Sequence, residues 1–142
     1  MHCPPGFTEY RLDEFPGEDP VRLNPAHAQW LGELAPVYEL AWASGCPEDL
    51  SLYCARIIQL APMSRVPMPL PPFDPDEKVG AVDAFVGDRA VAWLDDTFGK
   101  VARRWEHERR APTLLVDADP AIGLTSDHIE VLAASPRSIT TP

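Results

Sequence analysis

The chain has 142 residues, enough for one domain with a substantial core. At 45 % hydrophobic and 24 % charged it is globular rather than disordered, and its 17 prolines act as punctuation between elements. The formal net charge of −10 argues against a general nucleic-acid binder, which needs a basic surface to neutralise phosphates.

No apolar run approaches the roughly 20 residues of a membrane span, so no membrane insertion is expected. The opening Met1-His2-Cys3-Pro4-Pro5-Gly6 has neither a basic nor an apolar leader segment. Cys3, Cys46 and Cys54 cannot all pair and form no C-x-x-C. A reducing, cytoplasmic setting is the simpler expectation.

In chain order, residues 1–6 read as a loop. Phe7 to Leu12 and Val21 to Leu23 read as two short strands around a turn-rich segment, forming a small N-terminal hairpin. Asn24-Pro25 opens a helix, with Asn as N-cap and Pro at its first position. Trp30, Leu31 and Leu34 form its apolar face, and Pro36 ends it. Val37 to Ala43 reads as a buried strand, followed by the tight loop Ser44-Gly45-Cys46.

Pro47-Glu48-Asp49 starts the clearest helix. Its apolar residues Leu50, Tyr53, Cys54, Ile57, Ile58 and Ala61 recur with helical spacing, so Cys54 is expected in the core. Residues 62–73 are interrupted by Pro62, Pro67, Pro69, Pro71 and Pro72, which predicts an irregular surface loop. Asp74-Pro75-Asp76-Glu77 is a strong helix start, and Val79, Val82 and Val86 supply that helix's apolar side.

Val91-Ala92-Trp93-Leu94 is an apolar strand that runs into Asp95-Asp96. A helix over Phe98 to Arg110 follows, with Phe98, Val101, Ala102 and Trp105 as its buried stripe. A strand over Pro112 to Val116, a loop and a helix over Ser126 to Ala134 complete the domain. The expected organisation is a single domain over residues 1–134 and a loose tail over 135–142. Alternating strands and helices predict an α/β fold with a parallel sheet and helices on both faces.

In such sheets ligands bind just beyond the carboxyl ends of the strands. Asp95 and Asp96 are placed there, and paired carboxylates suit a hard cation such as Mg²⁺. The same two residues could instead cap the following helix.

Taken together these elements resemble the haloacid-dehalogenase-like (HAD) superfamily of Rossmann-like phosphohydrolases. The resemblance is a scattered constellation over roughly residues 7 to 134. A small hydroxyl residue follows the second core strand of that family, and Ser44 in Ala41-Trp42-Ala43-Ser44-Gly45 fits. A downstream lysine often starts a helix, and Lys78 fits. An acidic pair follows the fourth strand, and Asp95-Asp96 fits. The hairpin resembles the family's short flap, and Asp119-Pro120-Ala121-Ile122-Gly123-Leu124-Thr125 resembles a loop of small bacterial HAD-like proteins.

The resemblance implies a three-layer Rossmann-like sheet, Mg²⁺ held by Asp95 and Asp96, and a small phosphorylated molecule contacted by Ser44 and Lys78. A transferred phosphoryl group needs its charge neutralised and its geometry held. It also implies a central first strand ending in Asp-x-Asp, whose first Asp is the nucleophile and second the acid/base. Neither is present in its place. Two expectations follow: a coding sequence that starts upstream of Met1, or a relative without catalysis. A sheet without its central strand would leave a gap of about 10 Å, from the ~4.8 Å spacing of neighbouring strands. Exposed strand edges would then favour self-association. The alternative from another class is a non-enzymatic Rossmann-like module that binds a phosphate or cation.

Leu114-Leu115-Val116-Asp117-Ala118-Asp119 is itself an apolar strand ending in Asp-x-Asp, but it lies two strands from the usual position. A cysteine-phosphatase loop is excluded, because the sixth residue after Cys46 is Leu52 and after Cys54 is Leu60. His107-Glu108 meets Ala111 where a zincin needs its second histidine. His2, His27 and His128 read as surface residues. The basic run Lys100, Arg103, Arg104, Arg109 and Arg110 reads as a solvated helix face. Trp30, Trp42, Trp93 and Trp105 read as packing residues.

Overall fold

The computed structural model of the chain describes residues 6–17, 19–46 and 48–135. The readings of His2, Cys3, the helix-opening Pro47 and the tail beyond Ser135 lie outside the described residues. The protein is a mixed α/β chain with five helices and three two-stranded sheets among the described residues.

Strands β1 (Thr8–Tyr10) and β2 (Val21–Leu23) pair antiparallel, with Glu9 opposite Arg22. This is the expected hairpin. Phe7 meets the His27 ring edge-on at 5.3 Å, and Phe15 meets Tyr53 at 5.4 Å, so the hairpin is anchored on both flanks.

Helix α1 (Ala26–Leu34) begins where Asn24 Oδ1 accepts from the Ala26 amide at 3.0 Å. Asn24 itself is buried. The helix stops at Ala35, and the amides of Val37 and Tyr38 both donate to the Leu34 carbonyl.

Strand β3 is only Ala41–Trp42, shorter than the expected Val37 to Ala43. A strand is defined by its ladder, and β3 finds a partner only over two residues. That partner corrects the reading of residues 62–73 as wholly irregular. Strand β4 (Ser64–Arg65) pairs parallel with β3, and the Val66 amide donates to Trp42 O at 2.8 Å. Residues 63–66 carry no proline, so their amides are free to pair.

Helix α2 (Glu48–Ile57) forms as its periodicity predicts, yet none of its residues is buried. The expectation of Cys54 in the core is thus corrected to an intermediate exposure. Periodicity fixes which face turns inward, and burial depends on how completely that face is covered. Partial burial still pushes the Cys54 thiol up from its ordinary range, with a smaller contribution from Cys46.

Helix α3 (Glu77–Val86) follows Asp74, whose side chain accepts from the Asp76 amide at 3.0 Å. Val79, Val82 and Val86 are buried, as expected. Strands β5 (Val91–Asp95) and β6 (Thr113–Asp117) pair parallel over five residues, from Val91 opposite Thr113 to Asp95 opposite Asp117. Helix α4 (Lys100–Glu108) lies between them in sequence and is shorter at both ends than the expected 98–110. Its N-terminal side begins at Gly99, and at its C-terminal side Arg109 is extended and bonds Thr113, Gly87 and Arg89. Ala102 is buried, whereas Val101 is 41 % exposed and drops out of the expected stripe. Lying one residue from Ala102, it turns about 100° away around the helix.

Helix α5 (Ser126–Ala134) matches its expected limits. A capping box fixes its start: Thr125 Oγ1 accepts from the His128 amide, and His128 Nδ1 accepts from the Thr125 amide. His128 is therefore a capping residue. His27 is also no plain surface group. It is half-buried, sits between Phe7 and Trp30, and reaches Leu124 O through Nε2 at 3.2 Å.

The β5 and β6 side chains alternate between two cores. Trp93 and Leu115 pack with Val79, Val82, Val86 and Ala102 of α3 and α4. Leu94, Leu114 and Val116 pack with Leu34, Ile129 and Leu132 of α1 and α5. Of the four tryptophans, Trp30, Trp93 and Trp105 join these clusters.

The single parallel sheet expected from the sequence is present as two parallel pairs, because no ladder joins β3 to β5 among the described residues. The exposed ion pair Glu39–Arg89 (2.7 Å) ties the approach to β3 to the approach to β5. Between the two pairs lies an open cleft of about 230 Å³, walled by Val37, Ala41, Val91 and Trp93 and floored by Val82 and Phe85. The Trp93 ring packs edge-on against Phe98 and Trp105, and its buried Nε1 has no hydrogen-bond partner among the described residues. No helix among the described residues is long and apolar enough to cross a membrane.

Two outcomes test this packing. Leu34, 2 % exposed, joins α1 to α5 and β6; Leu34→Ala is expected to lower unfolding free energy by about 2–5 kcal/mol in denaturant titration. Desolvation lowers the His27 pKa below 6.5, outweighing the Leu124 contact. The fold thus favours neutral His27, and this contribution is present above pH 6.5 and lost as pH falls through the lowered value. His27→Gln is expected to lose less stability on acidification than the parent chain.

Candidate functional site

Strand β5 delivers its carboxylates at its carboxyl end because its apolar run stops at Leu94. Asp95 is held from three sides. Its Oδ1 accepts from the amides of Asp96 (2.8 Å) and Thr97 (3.4 Å), closing a turn. Its Oδ2 accepts from Lys78 Nζ at 2.9 Å. The pair is largely sheltered, with side-chain exposures of 18 % for Lys78 and 9 % for Asp95. Lys78 lies in the first turn of α3, one helical turn before Val82, which anchors that helix in the core.

Asp96 is exposed, and one of its oxygens accepts from Thr97 Oγ1 at 3.1 Å. Neither carboxylate caps α4, whose N-cap is Gly99 without a side-chain cap. The capping reading of the acidic pair is therefore replaced by a turn that Asp95 closes on itself. A residue whose role was missed in the sequence approaches the head of α4: Asp76 Oδ1 would lie 2.6 Å from a Cβ at position 99, so a side chain there would have to displace this carboxylate from the helix start.

Ser44 follows β3. Its Oγ accepts from the Cys46 amide at 3.1 Å. Phe73 covers this loop so closely that a Cβ at position 45 would meet its ring at 2.7 Å, so any larger residue there would have to displace the ring. The second residue missed in the sequence is Arg65 of β4. Its guanidinium donates to Ser44 O (3.2 Å), to Cys46 O and to Ser51 Oγ (3.3 Å). It was hidden because residues 62–73 carry only a loop signal.

Lys78 and Asp95 are thus in direct contact, while Ser44 contacts its own loop and Arg65. Asp117 and Asp119 are engaged elsewhere. Asp117 takes both of its contacts from Arg103 at 2.6 and 2.8 Å on an exposed surface, and this bonding holds the Arg103 guanidinium more firmly protonated. Asp119 Oδ1 accepts from the Ala121 amide at 2.8 Å within a turn. Among the described residues no group of three or more His, Cys, Asp or Glu converges as a ready metal site.

The arrangement neutralises one carboxylate with a sheltered ammonium at the end of β5, and separately sets the Arg65 guanidinium of β4 against the Ser44 loop. Lys78→Met leaves Asp95 sheltered without its cation, and is expected to cost about 1–3 kcal/mol in thermal or chemical unfolding. The Lys78→Met/Asp95→Asn double variant is expected to lose less than the sum of the single losses.

No family model, curated protein or solved structure matches the chain.

Proposed function

We propose that the chain carries the phosphate- and Mg²⁺-binding part of a HAD-like phosphohydrolase centre acting on a small phosphorylated molecule. The observation that carries this reading is the sheltered Lys78–Asp95 pair at the carboxyl end of a parallel strand, where α/β proteins place ligands. Lys78 orients the Asp95 carboxylate and adds positive charge for a phosphoryl oxygen. Ser44 supplies a hydroxyl that can donate to another. Asp95 and Asp96 are the carboxylates that would hold Mg²⁺, which would offset the charge of the phosphoryl group.

In this reading the cleft between β3 and β5 is the place of one further parallel strand. Filling it would join β4, β3, β5 and β6 into one Rossmann-like sheet with helices on both faces. That strand would also bring the nucleophilic carboxylate, since Asp117 is bound by Arg103 and Asp119 by its own turn. While the cleft is open, two strand edges favour self-association. A second reading, a non-enzymatic module that binds phosphate or a cation, is favoured by the lack of a third converging acid among the described residues.

The test is Mg²⁺-dependent hydrolysis of an aryl phosphate by this chain and by a version extended into its upstream reading frame. Activity in the extended form alone, abolished by Asp95→Asn and lowered at least about 100-fold by Lys78→Met, is the expected result. Activity in the present chain that Asp117→Asn removes would overturn the assignment of the nucleophile. Silence of both folded forms, with phosphate still bound, would select the binding module.

A further inference from the structure

We propose that Arg65 is the principal cation for an anion held at the Ser44 loop, with Lys78 secondary; this rests on the phosphate-binding reading above. The two cations differ in what already neutralises them. Lys78 Nζ lies 2.9 Å from Asp95, and Asp96 follows directly, so its surroundings carry more negative than positive charge. Arg65 bonds only neutral oxygens: two backbone carbonyls and the Ser51 hydroxyl. No carboxylate pairs with it among the described residues.

A partly buried guanidinium without a counter-ion is under a standing electrostatic demand for one. Its position is fixed rather than swinging. One terminal nitrogen holds the carbonyls of Ser44 and Cys46, and the other reaches α2 at Ser51. A guanidinium has five N–H donors, so three such bonds leave donors unused. It therefore stands against the backbone of the Ser44 loop, held in place and without a paired carboxylate among the described residues, where an anion bound by that loop would meet it. Strand β4, embedded in a proline-rich stretch, exists in this position because its two-residue ladder with β3 sets Arg65 opposite Trp42, two residues before Ser44.

The alternative role for Arg65 is a purely mechanical clamp on the loop. Lysine keeps the charge but not the planar fork, and glutamine keeps neither charge nor fork. The experiment is calorimetric titration of the 142-residue chain with inorganic phosphate at two ionic strengths, for the parent, Arg65→Lys, Arg65→Gln, Ser44→Ala and Lys78→Met. The expected result is a Kd raised about tenfold or more by Arg65→Gln, less than about threefold by Arg65→Lys, and a shallower salt dependence in the glutamine variant. Equal losses in both Arg65 variants, or no loss in either, would overturn the charge role. If Ser44→Ala weakens phosphate while Arg65→Gln does not, this inference alone falls. If the parent does not bind phosphate, the phosphate reading falls as well. Should Arg65→Gln fail to fold, Lys78→Met decides: it is expected to keep most of the parent's salt dependence, and its loss would overturn the proposal.

Discussion

The β5–β6 ladder is the constraint on which the rest depends. It is the longest pairing among the described residues, and it faces a core on both sides. A strand covered on both faces cannot spare either set of side chains, so its whole run must be apolar. Val91 to Leu94 and Leu114 to Val116 meet that demand. Helices α3 and α4 are recruited by one set of these side chains, and α1 and α5 by the other. The demand ends abruptly at Asp95 and Asp117, where the strands reach their polar rim together.

At that rim charge is distributed unevenly. Asp95 and Asp117 occupy paired positions, and each has its own cation, but the two pairs differ in environment. Lys78–Asp95 is sheltered, while Arg103–Asp117 is open to solvent and weakly coupled to stability. Arg65 stands apart from both, holding backbone oxygens only. Asp76, just before α3, comes close to Gly99 at the head of α4. These placements are what give the phosphate reading its physical content.

Elements whose signal is local were legible in the sequence. Helix α5 was found at its limits from its residue pattern, without its Thr125–His128 cap being read; α3 was found too, but it starts at Glu77, with Asp76 rather than Asp74 at its N-cap and no side-chain cap. The hairpin was legible through its turn residues. What escaped depends on partners remote in sequence. β4 is two residues long and is a strand only because β3 lies alongside. Val37 to Leu40 have strand composition but no ladder partner among the described residues. α2 has a correct apolar stripe, yet its burial is set by coverage that periodicity does not encode. In the site, Asp95 was legible because it ends an apolar strand, while Lys78 was singled out only through the family resemblance; their mutual contact was not read. Arg65 and Asp76 were not, since their roles arise from approach to Ser44 and Gly99 in space.

Tyr38 adds one more consequence. Its hydroxyl donates to Leu132 O at 2.7 Å, reaching from the approach to β3 into the last turn of α5. Helix ends leave carbonyls without intrahelical partners and fray first. Leu132 O already takes the Ser135 amide at 3.3 Å, and the Tyr38 hydroxyl adds a second donor from a distant segment; burial raises the Tyr38 pKa, keeping the phenol in its donating form. Residues 37–40 are thus tied to the end of α5 by this bond and by the packing of Tyr38 and Leu40 against the Leu34, Ile129 and Leu132 cluster. Loosening of residues 37–40 would therefore be felt at the far helix through a hydrogen bond and an apolar contact together.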